Sequence, residues 1–263
     1  MADPKTDFRL RQALAERLGM IIHSLVDTVL PPTCLSCDAV VARQGGVCPH
    51  CWSQLQFIEK PVCPVYGTPF SQDLGPQALS AQAIADPPEF DRARSVVIYE
   101  AVSRSIINGL KFSDRSDLAP WMARWMARAG ADLAEPGALI VPVPLHRGRL
   151  FARRFNQSAE LARHLSSIWG LDFHGEMLMR RRATRQQVGL GASGRWRNVR
   201  GAFQVPLDQQ INVHAQHLIL IDDVFTTGAT SDGCVSVLKR NGASWVQIFC
   251  WARALRGTNH QPA

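Results

Sequence analysis

LILIDDVFTTGAT, residues 218–230 of this 263-residue chain, is the stretch on which the fold turns. Its first four residues, Leu218 to Ile221, form an unbroken apolar run of the length of a buried central strand. The run ends in Asp222 and Asp223, and two adjacent carboxylates are costly to bury without purpose. At the carboxyl end of a strand in an open α/β sheet they face the ligand crevice instead, where they can accept hydrogen bonds from a vicinal diol. Thr226, Thr227, Gly228, Ala229 and Thr230 then supply hydroxyls and approachable backbone N–H groups just ahead of an expected helix. A helix N-terminus with free N–H groups is an anion site, so the segment suits a monophosphate. Gly228 permits a backbone path that a side chain would obstruct.

Two other readings compete. An apolar-then-acidic strand also carries magnesium in P-loop ATPases, but that reading requires GxxxxGK[ST] elsewhere. The chain has only four lysines, Lys5, Lys60, Lys111 and Lys239, and none follows a glycine, so the phosphate-cradling loop is absent. Acids that merely cap the next helix would leave the Thr-Thr-Gly-x-Thr run unexplained.

Outward from this segment, further apolar runs stand at SVVIY (95–99), ALIVPV (138–143) and WVQIFCW (245–251). They alternate with helical patterns over residues 119–131, 157–169 and 231–241, which predicts an α/β domain with a mainly parallel sheet over residues 93–256. At the other end, Leu10, Leu14, Leu18, Ile21, Ile22, Leu25 and Val29 recur at three- and four-residue steps, so residues 1–30 read as an amphipathic helix stopped by Pro31 and Pro32. Residues 71–92, rich in alanine, proline and polar side chains, read as a linker, and residues 257–263 as a loose tail. No internal repeat at a fixed period is visible.

Between helix and linker, residues 31–70 read as a zinc ribbon. Cys34 and Cys37, then Cys48 and Cys51, are two CxxC pairs ten residues apart, a spacing that lets two turns present four thiolates to one tetrahedral zinc. Two disulfides would use the same residues, but a reducing compartment disfavours them. Four thiolates fill the coordination shell, so the expected ion is structural and His50 has no vacancy to fill. Cys63 begins what looks like a third knuckle, yet Tyr66 stands where that knuckle should close. Cys234 and Cys250 fall in an expected helix and strand as small buried hydrophobes.

The chain carries a formal charge of +7 and a pI near 9.4, which suits anionic partners. Twelve of its 25 arginines lie between Arg147 and Arg200 against three acids, Glu160, Asp172 and Glu176, so the positive charge is concentrated there. Arginine's planar donor fork matches phosphate, although a solvated face would use the same residues. Trp52 and Trp196 could stack on bases, as in single-strand binders, or pack in a core. Acids at Asp3, Asp7 and Glu16 do not fit a secretory signal, and no long apolar run is present, so a cytoplasmic protein is expected.

The segment at residues 218–230 closely resembles the phosphoribosyl pyrophosphate motif of type I phosphoribosyltransferases. The order of features, a cysteine ribbon ahead of such a domain, resembles the ComF family of competence-associated proteins, also called GntX-like. Further matching stretches run from Tyr99 through Arg104 to Lys111, from Val141 to His146, around Arg153 and Asn156, and through Thr184, Gln187, Arg195, Asn198 and Phe203. Tyr66 in place of an expected cysteine, and Arg154 where the family usually has glycine, depart from the pattern.

The resemblance implies a phosphoribosyl ligand whose ribose 2′- and 3′-hydroxyls are held by Asp222 and Asp223, with the 5′-phosphate wrapped by Thr226, Thr227, Gly228, Ala229 and Thr230. His146 and Arg147 become candidates for the pyrophosphate side, as does Arg195 within the block from Arg180 to Arg200, where such enzymes keep a loop that closes over pyrophosphate. Mg²⁺ is implied through the ligand's phosphates. A role in DNA uptake, contact with single-stranded DNA and a helicase-like ATPase partner are implied by the family alone. Three functional classes follow: a transferase that releases pyrophosphate, a module that binds a phosphoribosyl ligand without turning it over, and a single-strand DNA-binding competence factor.

Overall fold

Each of the four apolar runs becomes a strand of one sheet. The strands are β1 (Arg92–Ile98), β2 (Leu139–Pro142), β5 (His217–Phe225) and β6 (Trp245–Arg253), ordered β1-β6-β5-β2 and all parallel. A two-stranded antiparallel ribbon, β3 (Met179–Arg180) with β4 (Phe203–Gln204), stands apart. This is a computed structural model, and it describes residues 31–43, 45–112, 118–146, 148, 155–182 and 201–255. The helix expected over residues 1–30, the tail, Arg147, Arg154, Arg195 and Trp196 lie outside the described residues.

The sheet is covered on both faces, as parallel strands require, and its inner strands β5 and β6 are accordingly buried through most of their length. Helices α1 (Pro49–Ser53) and α2 (Ala81–Ala85) precede the sheet. Between strands run α3 (Ala101–Phe112), α4 (Leu118–Ala129), α5 (Gln157–Trp169), α6 (Gln210–Val213) and α7 (Ala229–Arg240). On one face Leu218, Leu220, Val246 and Ile248 join Val235 and Leu238 of α7 in a buried cluster. Towards α4 and α5, Trp251 of β6 lies 5.4 Å from the ring of Trp121, and Phe249 stacks 5.9 Å from Trp169. Helix α5 spans the same residues that its periodicity predicts. Asn156 accepts from Ser158 N at 3.1 Å to start it, and Gly170 ends it with a positive φ of 67°.

The chain divides into two compact units between Trp52 and Ser53. In the first, Cys34 and Cys48 are buried, as is Cys51 on α1, while Cys37 and His50 are exposed. In the second, residues 53–70 join the sheet unit: Ile58 N donates to Val96 O at 2.8 Å, Ile98 N to Gln56 O at 2.8 Å and Ala93 N to Val65 O at 2.6 Å.

Residues 71–92, read above as linker, contain α2, because Ser80 Oγ accepts from Ala83 N at 3.3 Å and caps an Ala/Gln stretch of good helix formers. Their Ala83 and Phe90 are buried in the main core. Among the described residues no helix is long and apolar enough to cross a membrane.

A repeat that the sequence does not display is present in the backbone. Backbone bonds Cys34 N to Ala39 O (2.7 Å) and Val41 N to Pro32 O (2.9 Å) recur as Cys63 N to Thr68 O (2.8 Å) and Phe70 N to Pro61 O (2.9 Å). The bridge Thr33–Val40 likewise recurs as Val62–Pro69. The backbone repeats where the side chains have diverged, which hid the duplication.

Candidate ligand site and cysteine cluster

Strand β5 is central, hydrogen-bonded to β2 on one side and β6 on the other, and its carboxyl end carries the acids. Asp222 is half-buried and Asp223 buried. Ser158 Oγ on α5 donates to Asp222 Oδ1 at 3.0 Å, and Asp223 N donates to the same oxygen at 2.9 Å. Asp223 pairs with Lys111 of α3, Nζ to Oδ2 2.6 Å, with both side chains mostly shielded. The acids thus lean on different helices, as successive residues of a strand do. Burial first, and the charge of Asp223 second, lift the Asp222 carboxyl to about 7.

Beyond Phe225 the chain turns through exposed Thr226 and half-buried Thr227 into Gly228, whose φ of +85° is left-handed. A Cβ on Gly228 would come within 2.9 Å of Asp232 Oδ2 and 3.1 Å of Phe225 Cζ, so a side chain there would be strained by the backbone and crowded by both neighbours. Helix α7 starts at once, with Ala229 buried and Thr230 half-buried in its first turn. The buried Thr227 Oγ1 has no hydrogen-bond partner. Helix α7 starts directly from the left-handed glycine with no side-chain cap on its first turn.

A cavity of about 490 Å³ adjoins this loop, lined by Tyr66, Asp86, Phe203, Thr227, Asp232 and Arg240 among others. Asp232 in the first turn of α7 would repel a phosphate if ionised. Burial, then the charges of Asp86 and Glu89, raise it to about 7, which keeps it partly neutral.

The loop after β2 converges on the same end of the sheet. Asn156 Nδ2 donates to Val143 O at 3.0 Å, which ties that loop to the start of α5 and so to Ser158. His146 is half-buried, and its Nδ1 accepts from Gly148 N at 3.2 Å. The structure therefore gathers Asp222, Asp223 and residues 226–230 at one strand end, with His146 on the loop after the neighbouring strand. Of the pyrophosphate-side candidates, Arg147 and Arg195 fall outside the described residues.

Sequence reading assigned no role to Ser158 or Lys111. One signal was present for the second: Lys111 is a rare lysine in an arginine-rich chain.

In the first unit the Sγ atoms of Cys34, Cys37, Cys48 and Cys51 all lie within 4.8 Å of one another. The Cys37 and Cys48 sulfurs are 3.7 Å apart, against about 3.8 Å for two thiolates on a tetrahedral zinc with Zn–S bonds of about 2.3 Å. Cys48 N donates to Cys34 Sγ at 3.2 Å, and Cys51 N to Cys48 Sγ at 3.4 Å. Burial opposes ionisation of Cys34, but the N–H donors of Cys48, Cys37 and Ser36 outweigh it and leave the thiol at about 6. Burial and neighbouring sulfur push Cys51 up to about 12. Four thiols this close cannot all ionise without a cation among them, so the cluster fits a structural zinc.

Ribbon and sheet together define a class, an α/β protein with a mainly parallel sheet and a zinc-ribbon segment ahead of it. The profile of the double zinc ribbon domain matches residues 25–84. DNA utilization protein YhgH of Escherichia coli strain K12 is 34% identical over 233 residues, 86% of this chain and 99% of that protein. Competence protein F of Haemophilus influenzae is 26% identical over 226 residues, 84% of this chain and 90% of that protein. The chain belongs to the ComF family, to which these proteins are assigned.

Among solved structures, phosphoribosylpyrophosphate synthetase from Mycobacterium smegmatis matches at TM-score 0.31 and 19% identity, covering 50% of this chain and 33% of that one. Purine phosphoribosyltransferase from Pyrococcus horikoshii Ot3 matches at TM-score 0.30 and 16% identity, covering 54% of this chain and 92% of that one.

Proposed function

We propose that this chain binds a phosphoribosyl compound at the carboxyl end of β5 and acts in DNA uptake. Asp222 and Asp223 take the ribose hydroxyls, and residues 226–230 take the 5′-phosphate. The observation that carries this reading is the sequence of groups along one short path: two carboxylates on a central parallel strand, then a left-handed Gly228, then the start of α7 with no side-chain cap. The unpartnered Thr227 Oγ1 in the same loop supports it, because a buried hydroxyl without a partner costs free energy that a phosphate oxygen would recover.

Among the described residues only the four cysteines form a group of three or more side chains able to hold a metal ion. Mg²⁺ enters with the ligand, held through its phosphates and few protein groups. Its chemistry there is to neutralise charge on a departing pyrophosphate. His146, Arg147 and Arg195 are proposed for that side. The names of two relatives, a DNA utilization protein and a competence protein, support the DNA-handling side of this reading, and a helicase-like ATPase is the proposed protein partner.

Calorimetric titration with phosphoribosyl pyrophosphate and Mg²⁺ tests the reading, beside a variant carrying Asp222→Asn and Asp223→Asn. Binding heat that disappears in the folded variant is expected, and equal heat in both would remove the acids from the site. If transfer occurs, a nitrogen nucleophile displaces pyrophosphate from the ribose carbon, and pyrophosphate release on adding nucleobases is its readout.

A further inference from the structure

The second half of the double ribbon reproduces the first at the level of backbone bonds, and this allows each zinc-ligand position to be matched. Cys34 corresponds to Cys63 and Cys37 to Tyr66, because the turn bonds recur in register: Asp38 N to Cys34 O (3.2 Å) becomes Gly67 N to Cys63 O (2.8 Å). Cys48 corresponds to Ser80, because Cys48 N to Cys34 Sγ (3.2 Å) becomes Ser80 N to Cys63 Sγ (3.4 Å). In both halves a five-residue helix starts just after this donor, at Pro49 and at Ala81, and buries the fourth position, Cys51 in one and Ala83 in the other. The second set is therefore Cys63, Tyr66, Ser80 and Ala83. Zinc takes thiolate, imidazole or carboxylate ligands, and only Cys63 among these supplies one.

Other contacts occupy the place of the ion. Tyr66 is buried, its ring edge-on to Phe90 at 5.2 Å and to Phe225 at 6.4 Å, and its hydroxyl donates to Asp86 O at 3.0 Å. Ser80 Oγ has become a helix cap. From outside the turn, Arg94 of β1 donates to Pro64 O at 3.0 Å and Cys63 O at 3.4 Å. Arg253 of β6 donates to Tyr66 O and lies 4.8 Å over the Phe225 ring. In a zinc knuckle the N–H groups turn toward sulfur and the carbonyls turn away. Here two guanidinium groups anchored on the sheet bind those outward carbonyls, a cross-link made from the opposite side.

We propose that the second ribbon of this chain is metal-free, its closure taken over by Tyr66, Arg94 and Arg253, so that the protein binds one zinc per chain rather than two. The ribbon form is kept because the sheet holds it, and the ion has become dispensable in this half alone.

Zinc content of the purified full chain, measured by elemental analysis, tests this directly. One zinc per chain is expected, unchanged in Cys63→Ser and lost in Cys37→Ser. Two zincs in the native chain, or a fall in Cys63→Ser, would overturn the proposal. A variant with Tyr66→Cys, Ser80→Cys and Ala83→Cys rebuilds the four thiols and is expected to hold a second zinc. If it folds, as judged by retained amide protection in β5 and β6, and still holds one, the matched positions are wrong.

Discussion

Two carboxyls near the loop have folded-state pKa values raised to about 7, Asp222 and Asp232, against about 3.9 in an unfolded chain. Between those values the folded protein holds protons that the unfolded chain has released, so stability is highest on the acid side and falls as pH rises through about 7. The thermal midpoint is expected to drop from pH 6 to pH 8, and to drop less in Asp222→Asn or Asp232→Asn. An unchanged slope in both would remove these groups as its source. Ser158→Ala deletes a donor that stabilises the Asp222 carboxylate, so NMR titration of that carboxyl should show its midpoint moving further up. Gly228→Ala forces a Cβ into a left-handed position beside Asp232 and Phe225, at about 1–2 kcal/mol, readable as a lower urea midpoint.

At the level of elements, β6 is the best-buried strand, with all but Trp245 out of solvent. Trp251→Ala opens a cavity between that strand and α4, where Trp121 stands 5.4 Å away, and should cost about 3–5 kcal/mol in chemical denaturation. The cysteine cluster behaves differently. Among the described residues of 31–52 there is one short helix and no strand, so their order rests on the metal far more than on a core of their own. Chelation is expected to raise hydrogen exchange there to that of an unfolded chain, while amides of β5 and β6 stay protected. Equal protection in both segments before and after chelation would contradict a structural role for the ion.

For the whole molecule, the net charge of +7 and the concentration of arginine between Arg147 and Arg200 predict salt-sensitive binding to single-stranded DNA. Each phosphate neutralised should contribute about −0.7 to the slope of log affinity against log salt. Binding that ignores salt would exclude a role for the arginines in gripping the backbone.

Sequence alone determined where the four sheet strands fall, because strands buried on both faces carry apolar runs: β2 is one throughout, β5 and β6 are built around one, and β1 carries one in its second half after Arg92 and Arg94. It determined the acid pair at the end of β5, the glycine at the turn into α7 and the four-cysteine cluster, since each depends on residues close together in the chain. Strand order, the partners Ser158 and Lys111, and the burial of α2 and Phe90 within the apparent linker were decided only by tertiary structure. So was the second ribbon, whose repeat survives in backbone hydrogen bonds while its ligands have changed. These features join residues far apart in sequence, and neither period nor spacing along a chain carries information about which distant groups will meet.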